Sequence, residues 1–427
     1  MNSAGKTAQK LREFLEGVPV IDTHEHLPHK ESARDRETDV LQEYLLHYMN
    51  SDLRSAGLSR TDLKRAMDPS APVLDRWQLV EPYWEASRHT GYARALDWSV
   101  RGVYGIDRID GSTIEELNRK FVNSLGSGHF KKVLQDLCNI ETSLLDSEES
   151  PMESDPAFFR SVYRIDRLVL PRLLEDIEKV ETLSGIQALS LDAYLRGCSE
   201  VLRSAASKGV AAYKIALAYE RSLFFDRWSR GEADRGFYNL LKQKHIPEWV
   251  TPSVLPEAPF QDYVMHRLLE EIADIGLPVQ IHTGIHEGSG NYIANSNPAH
   301  ISNLLLEYPG INFDIFHIGY PFFRTAGVLA KNFPNASLDM CWANIISPYA
   351  SVQALAEWID LVPYTKIFAF GGDFRLVDGV YGHLMMAKDN AAEALAIRVE
   401  DGTLTVQDAE RLGRAFFYDN PKRFFRV

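Results

Sequence analysis

Residues 277–284 read LPVQIHTG, and residues 311–319 read INFDIFHIG. In both stretches a short apolar run ends on a histidine that is followed by a glycine turn. Two further short apolar runs follow, ASLDMCW at residues 336–342 and KIFAFGGD at residues 366–373. Apolar runs of this length, bounded by turn residues, are typical of strands that are buried on both faces of a parallel sheet.

The first half of the chain contains four more runs of this kind. They are VPVIDTHEHL from Val18, ETSLLD at residues 141–146, YRIDRLVL at residues 163–170 and VAAYKIALAYE at residues 210–220. Stretches such as AGVLAKNF and VQALAEWIDLV separate the later runs and have helical spacing. Eight strands that alternate with helices predict an α/β protein with a (β/α)₈ TIM barrel, and an open doubly wound sheet is the alternative.

Two segments interrupt this alternation. Residues 28–135 predict a large helical, aromatic-rich insertion or cap after strand 1, and residues 221–262 predict a smaller insertion after strand 4. The predicted domains are therefore the N-terminal helix with strand 1 (residues 1–27), the cap (28–135) and the rest of the barrel (136–427). Both insertions follow strands at the end where a barrel places its active site, which favours lids. Padding of the barrel or an oligomer interface is the alternative.

Composition excludes several classes of protein. Of 427 residues, 45% are hydrophobic and 25% charged, as in a soluble globular protein, and the net charge of −13 disfavours nucleic-acid and membrane partners. Three scattered cysteines give no disulfide framework and indicate a reducing compartment. No signal peptide and no apolar run of about 18 residues is present, so we expect a cytoplasmic protein. A homo-oligomer is left open.

Polar side chains end four of the predicted strands. His24 and His26 alternate in the first strand, so both imidazoles point the same way. His282, His317 and Asp373 end three later strands. A barrel places its active site at this end, and neutral imidazole is the commonest nitrogen ligand for zinc. The pattern predicts a divalent metal site, whereas each residue alone is equally compatible with a hydrogen bond to a loop.

The same motifs resemble the amidohydrolase superfamily. PVQIHTG, FHIGYPFFRTAGVLAKNFPNASLDM and KIFAFGGD cover roughly the last 150 residues, and VIDTHEHL and AYKIALAYERSL extend the resemblance to the first half. The chain looks similar to the amidohydrolase-related branch, which includes the amidohydrolase domain fused to some glutamine-synthetase-like proteins. The long segment after the first strand is also similar to that of uronate isomerases in the same superfamily.

The resemblance implies roles for individual residues. His24, His26, His282 and Asp373 would be metal ligands, and His317 would bind a second metal or polarise the substrate. Asp373, His317 and His282 would be the catalytic residues, with Asp373 accepting a proton from activated water and passing it to the leaving group. The implied cofactor is Zn²⁺, as one ion or two, with Mn²⁺ or Fe²⁺ as alternatives.

Basic residues near the strand ends have several interpretations. Lys214 lies in the apolar fourth strand, where it would be a carbamate that bridges two metals, an ammonium that binds a substrate carboxylate, or a partner of a barrel carboxylate. Arginine binds carboxylates through two parallel hydrogen bonds. We therefore predict substrate contacts by residues just past strand ends: Arg221, Arg324, Arg375 and Tyr219.

The sequence thus predicts a metal-dependent hydrolase that cleaves an amide, ester or lactone bond in a small, anionic, carboxylated molecule. The alternative is a non-hydrolytic enzyme with the same metal site, either a decarboxylase or a uronate (sugar-acid) isomerase. A scaffold without catalysis would require a broken set of ligands, and the set of histidines and aspartate is complete.

Overall fold

The computed structural model describes residues 3–146, 154–242, 257–288 and 290–427. The described residues contain one sheet of eight parallel strands, whose spatial order follows the chain order. This is the predicted (β/α)₈ barrel. The strands are β1 Val20–Glu25, β2 Ile140–Asp146, β3 Phe159–Arg164, β4 Ala212–Ile215, β5 Val279–Ile281, β6 Phe313–Ile315, β7 Ala336–Asp339 and β8 Ile367–Phe368.

Backbone hydrogen bonds join the first strand to the residues that follow the last one. The N–H of Thr23 donates to the carbonyl of Phe370 at 3.1 Å, and the N–H of Asp373 donates to the carbonyl of His24 at 2.7 Å. We call this contact between the two ends of the sheet the seam. It closes the barrel and satisfies the edges of β1 and β8, which would otherwise be unpaired.

The third strand differs from its predicted position at 163–170. It occupies Phe159–Arg164, and the apolar residues that follow form a short helix, α8 of the chain, at Asp166–Val169. The carboxylate of Asp166 accepts hydrogen bonds from the N–H of Ala216 at 2.9 and 3.2 Å, which fixes this helix beside β4. The prediction was wrong here because a short apolar run has the same composition in a buried helix as in a buried strand.

Helices cover the outside of the barrel and its catalytic end. Before β1 lies α1 at Ser3–Glu16. The predicted cap between β1 and β2 is helical and ends with a π-helical turn at Lys131–Leu137. Its α-helices are α2 Val40–Tyr44, α3 His47–Ser55, α4 Arg60–Ala66, α5 Val73–Ser87, α6 Gly91–Tyr104 and α7 Ile114–Asn123.

The later helices mostly connect successive strands. After α8 they are α9 Leu174–Ser184, α10 Leu191–Ser207, α11 Arg230–Lys242, α12 Ala258–Ile275, α13 Ser302–Glu307, α14 Phe323–Asn332, α15 Ala343–Ile346, α16 Pro348–Leu361, α17 Val377–Glu400, α18 Val406–Arg414 and α19 Asn420–Phe425. Of the predicted insertion at 221–262, residues 243–256 lie outside the described residues, and α11 occupies part of the rest. In the described part of the chain, no helix is both long and apolar enough to cross a bilayer.

The cap is fastened to the barrel through a buried carboxylate. Asp378, in the first turn of α17, accepts hydrogen bonds from the hydroxyls of Tyr44 and Tyr104 at 2.9 and 2.8 Å. Its second oxygen lies 2.6 Å from Nε2 of His129. Burial would raise the pKa of Asp378, but the contacts with His129 and the two tyrosines outweigh it and lower that pKa. One ionised carboxylate therefore ties two cap helices and the cap's last turn to a barrel helix.

Candidate metal centre

Side chains from four strand ends converge on the carboxylate of Asp373. Its Oδ1 lies 3.2 Å from Nε2 of His26 and 3.8 Å from Nε2 of His24. Its Oδ2 lies 3.8 Å from Nε2 of His317. Asp146, the last residue of β2, places Oδ2 3.8 Å from Nε2 of His24. Distances of 3.8 Å are too long for hydrogen bonds, so of these pairs only His26 and Asp373 are hydrogen-bonded.

Two imidazoles face each other with their lone pairs. Nδ1 of His282 and Nε2 of His317 are 2.9 Å apart. The other nitrogen of each ring is 2.9 Å from a backbone carbonyl, that of Ile285 for His282 and that of Cys341 for His317. Because a carbonyl only accepts, those outer nitrogens carry the protons and the two facing nitrogens carry lone pairs. A cation bound by both nitrogens would relieve this repulsion.

The protonation states of three of the histidines and of Asp373 fit ligation. Burial lowers the pKa of His24 and His282 well below its usual value and lowers that of His317 to about 4, so these rings are neutral at pH 7. Burial would raise the pKa of Asp373, but the hydrogen bond from His26 and the neighbouring imidazoles outweigh it and hold that pKa well below its usual range. Neutral imidazoles and an ionised carboxylate are the forms that bind divalent metals.

Backbone carbonyls and buried carboxylates hold these side chains in place. Nδ1 of His26 is 2.9 Å from the carbonyl of Asp146, so Nε2 of His26 faces Asp373. Asp22 accepts the N–H of Gly372 at 2.9 Å, and Glu25 accepts the N–H of Phe374 at 2.8 Å. Metal-binding histidines and carboxylates usually have such partners, which fix their orientation.

The backbone at Asp373 is strained. Asp373 has φ +54°, in the left-handed region that non-glycine residues rarely adopt, and His317 has φ +61°. Gly372 is required beside it, because a Cβ at this position would lie 1.7 Å from Oε1 of Glu25. Strain of this kind persists where the surrounding structure imposes it, and it is concentrated at functional sites.

Asp146 is a site residue that the sequence interpretation did not single out. Arg164 donates to its Oδ2 from Nε at 2.9 Å and from Nη2 at 2.6 Å. Burial would raise the pKa of Asp146, but Arg164 and the nearby histidines outweigh it and lower that pKa. Asp146 ends an apolar strand in the same way as Asp373, so the signal was present in ETSLLD.

The candidate ligands His24, His26, His282 and Asp373 line a cavity of about 270 Å³. Lys214 lines it, with Nζ 3.5 Å from the centre of the Phe316 ring, and burial lowers the pKa of this lysine. Arg375 and Tyr219, two of the residues predicted to contact substrate, also line the cavity, and the ring of Tyr219 packs against His282 at 4.7 Å. The cap contributes two residues that the sequence interpretation missed, His47 and Tyr48.

Two predicted substrate-binding arginines lie elsewhere. Arg221 is buried, forms an ion pair with Asp262, and donates to Gln261 at 2.8 Å. Arg324 is on the surface, 3.1 Å from the carboxylate of Glu357. Neither is among the described residues that line the cavity. We therefore leave both out of the proposed site: nearness to a strand end does not determine where a long side chain points.

A larger cavity, of about 1110 Å³, lies elsewhere in the protein. Its lining includes the start of β3 and residues 208–210, which precede β4. The described residues that line it include no histidine. It therefore lacks the nitrogen ligands that make the smaller cavity a candidate for metal chemistry.

Comparison with known proteins agrees with this geometry. Residues 239–427 match the protein family described as amidohydrolase. The curated protein fluG of Emericella nidulans is 23% identical over 438 residues, which cover 99% of this chain and 47% of that protein. The second half of the chain is therefore similar to this amidohydrolase family. The chain spans about half the length of the curated relative it matches.

Solved structures share the fold of this chain over nearly its full length. Uronate isomerase from Thermotoga maritima has a TM-score of 0.80 at 17% identity and covers 98% of this chain and 97% of its own. Glucuronate isomerase from Caulobacter crescentus has a TM-score of 0.81 at 19% identity and covers 100% of this chain and 95% of its own. At these identities the two structures share the fold of this chain.

Proposed function

We propose that this protein is a metal-dependent hydrolase of a small carboxylated molecule, cleaving an amide, ester or lactone bond. The observation that carries the proposal is the facing pair of lone pairs on His282 and His317, beside the carboxylate of Asp373. His24, His26, His282 and Asp373 would hold the ion. Possible ligand atoms lie within 4.8 Å of one another in two groups, one formed by His24, His26 and Asp146 and the other by His317, Cys341 and Asp373. Such nitrogen and oxygen donors favour Zn²⁺, and Mn²⁺ or Fe²⁺ also suit them.

The ion would lower the pKa of a water molecule toward neutrality and polarise the bond to be cleaved. Asp373 would accept a proton from the attacking water and deliver it to the departing nitrogen or oxygen as the carbon–heteroatom bond breaks. His317 would bind the same ion or a second one through Nε2, which carries a lone pair. Because Asp373 is held rigidly by the seam, its carboxylate is already in position for this transfer.

Substrate would be oriented by the cationic and aromatic residues of the cavity. Arg375 and Tyr219 line it, and Lys214 reaches it from β4. We assign the Lys214 ammonium to a substrate carboxylate. There are two alternatives: Lys214 forms a carbamate that bridges two ions, or its ammonium pairs with a barrel carboxylate. An increase in the mass of the intact protein by that of carbon dioxide, located at Lys214, would identify the carbamate.

A second candidate is isomerisation of a sugar acid. It is favoured by one observation: the two sugar-acid isomerases share this fold from end to end, the cap included. The same constellation would serve it, because a cation and nearby donors stabilise charge that develops on a substrate oxygen.

One experiment separates these reactions. The purified protein is loaded with Zn²⁺ or Mn²⁺ and incubated with N-acyl amino acids, carboxylated lactones and free uronates. The masses of the products are then measured by mass spectrometry. A hydrolase adds the mass of water and releases amine or alcohol. An isomerase leaves the mass unchanged, and a decarboxylase releases carbon dioxide. If His24→Ala and Asp373→Asn both retained bound metal and activity, the proposed site would be wrong.

A further inference from the structure

A second cavity of about 790 Å³ adjoins the metal-site cavity on the cap side. Residues of α3 and α4 form most of its wall, together with the loop that follows β5. His47 and Glu287 line both cavities, so the two spaces meet at these side chains. We call this second space the outer chamber.

The wall of the outer chamber has three cations: Arg54, Arg60 and Lys64. In the described part of the chain, none of their side chains forms an ion pair or a hydrogen bond. By contrast, Arg65 on the same helix as Lys64 is paired with Asp62 at 3.1 Å.

Two carboxylates, those of Asp68 and Glu287, line the same wall, which leaves one net positive charge there at neutral pH. The chain as a whole carries a net charge of −13. A locally positive chamber on an acidic protein attracts anions toward that chamber and away from the rest of the surface.

The volumes indicate what this chamber accommodates. Pockets for small ligands usually enclose about 300–1,000 Å³, and the metal-site cavity at about 270 Å³ is below that range. A substrate confined to it would be very small. The outer chamber at about 790 Å³ provides the space for the rest of a longer molecule.

We propose that the outer chamber binds an anionic group at the far end of the substrate. The substrate class is then an elongated molecule with its scissile bond at the metal site and a carboxylate or phosphate remote from that bond. Arg54, Arg60 and Lys64 would neutralise this group, since guanidinium and ammonium groups bind such anions through charge-assisted hydrogen bonds. This inference rests on the proposed metal-dependent function and adds the charge and length of the substrate to it.

The test uses metal-binding probes with tails of different charge. Isothermal titration calorimetry on the Zn²⁺-loaded protein compares acetohydroxamate with alkyl hydroxamates of increasing length, each with either a terminal carboxylate or a terminal methyl group. We expect the longer carboxylate-tailed probes to bind about tenfold more tightly than their methyl counterparts, corresponding to about 1.4 kcal/mol. The triple variant Arg54→Met/Arg60→Met/Lys64→Met should lose this preference and keep the wild-type affinity for acetohydroxamate. Arg65→Met is the matched control and should retain both.

The outcomes distinguish this inference from the function on which it rests. If acetohydroxamate binds and the two tail series bind alike, the outer chamber is not a substrate subsite, and the metal site stands. A third outcome is that the carboxylate and methyl probes bind with equal affinity, while inorganic phosphate binds to the wild type and not to the triple variant. The chamber then binds a separate anion, and the inference is overturned. If acetohydroxamate fails to bind to the metal-loaded protein, the proposed metal site fails and the substrate assignment fails with it.

Discussion

Nδ1 of His282 and Nε2 of His317 face each other at 2.9 Å, each with a lone pair directed at the other. Both rings are locked in this orientation by carbonyls that accept their remaining N–H groups. The protein therefore holds two electron-rich atoms together in a buried place where neither has a proton to offer. A bound cation is the simplest partner for both, and removal of that cation has a measurable consequence.

Chelation should destabilise the protein. A ligand that binds only the folded state adds about 4 kcal/mol of stability at a concentration of 1,000 times its Kd. We expect dipicolinate treatment to lower the Tm, and Zn²⁺ to restore it in proportion to the amount bound. The variant His317→Phe removes one of the facing lone pairs, so its Tm should respond less to metal. Equal Tm values for the treated and metal-loaded wild type would contradict the assignment.

Arg164 should act on the metal through Asp146. It donates two hydrogen bonds to Oδ2 of Asp146, the oxygen that also lies 3.8 Å from Nε2 of His24. Loss of such an outer partner typically costs 10- to 100-fold in metal affinity. We expect Arg164→Met to weaken Zn²⁺ binding by about that factor in competition with a fluorescent chelator, and Arg164→Lys to recover part of it. Unchanged affinity in Arg164→Met would show that Asp146 needs no positioning.

Gly372→Ala should disturb the seam. Its Cβ would fall 1.7 Å from Oε1 of Glu25, so the carboxylate or the backbone has to move. Overpacking of this kind typically costs about 2 kcal/mol. Gly5→Ala in α1 is the control, because its Cβ meets nothing within 4 Å and alanine stabilises a helix by about 0.5–1 kcal/mol. In urea unfolding, we expect Gly372→Ala to lower the free energy of unfolding and Gly5→Ala to raise it. The metal content of both variants is measured alongside.

The Asp378 network should make stability depend on acidic pH. The pKa of Asp378 is lowered in the folded state, so the unfolded chain binds more protons as the pH falls below about 3.9. Its contribution is fully present above that pH and is lost as the pH falls through the folded pKa. Asp378→Asn should cost about 3 kcal/mol at pH 7. The difference in the free energy of unfolding between wild type and variant, measured with urea, should decrease from pH 4 downward. A difference that stays constant with pH would contradict this account.

Arg221 should matter for folding and not for substrate. It is buried with Asp262, and removal of one partner from a buried ion pair costs about 3 kcal/mol. We expect Arg221→Met to lower the free energy of unfolding by roughly this amount and to leave metal content unchanged. A raised KM at unaltered stability would instead return Arg221 to the substrate site.

The sequence predicted the barrel and most of the strand ends for one physical reason. Parallel strands in a barrel all end at the same rim. The local sequence pattern alone therefore predicts where a histidine or aspartate lies when it ends an apolar run. His282, His317 and Asp373 are found at that rim. Asp146 obeys the same rule and was overlooked in ETSLLD.

Residues that reach the site from outside the strands were not predictable in this way. His47 begins α3 and arrives at the cavity through the packing of the cap against Trp342, with ring centres 4.6 Å apart. No local pattern encodes a contact that depends on where a whole insertion docks. The same reason explains Arg221 and Arg324, whose partners Asp262 and Glu357 lie on other elements of the chain.

The hydrogen bond from the N–H of Asp373 to the carbonyl of His24 closes the barrel and sets a predicted ligand beside another. On the ribosome, His24 is synthesised long before Asp373. The nascent chain therefore cannot bring these two predicted ligands together until Asp373 has left the exit tunnel.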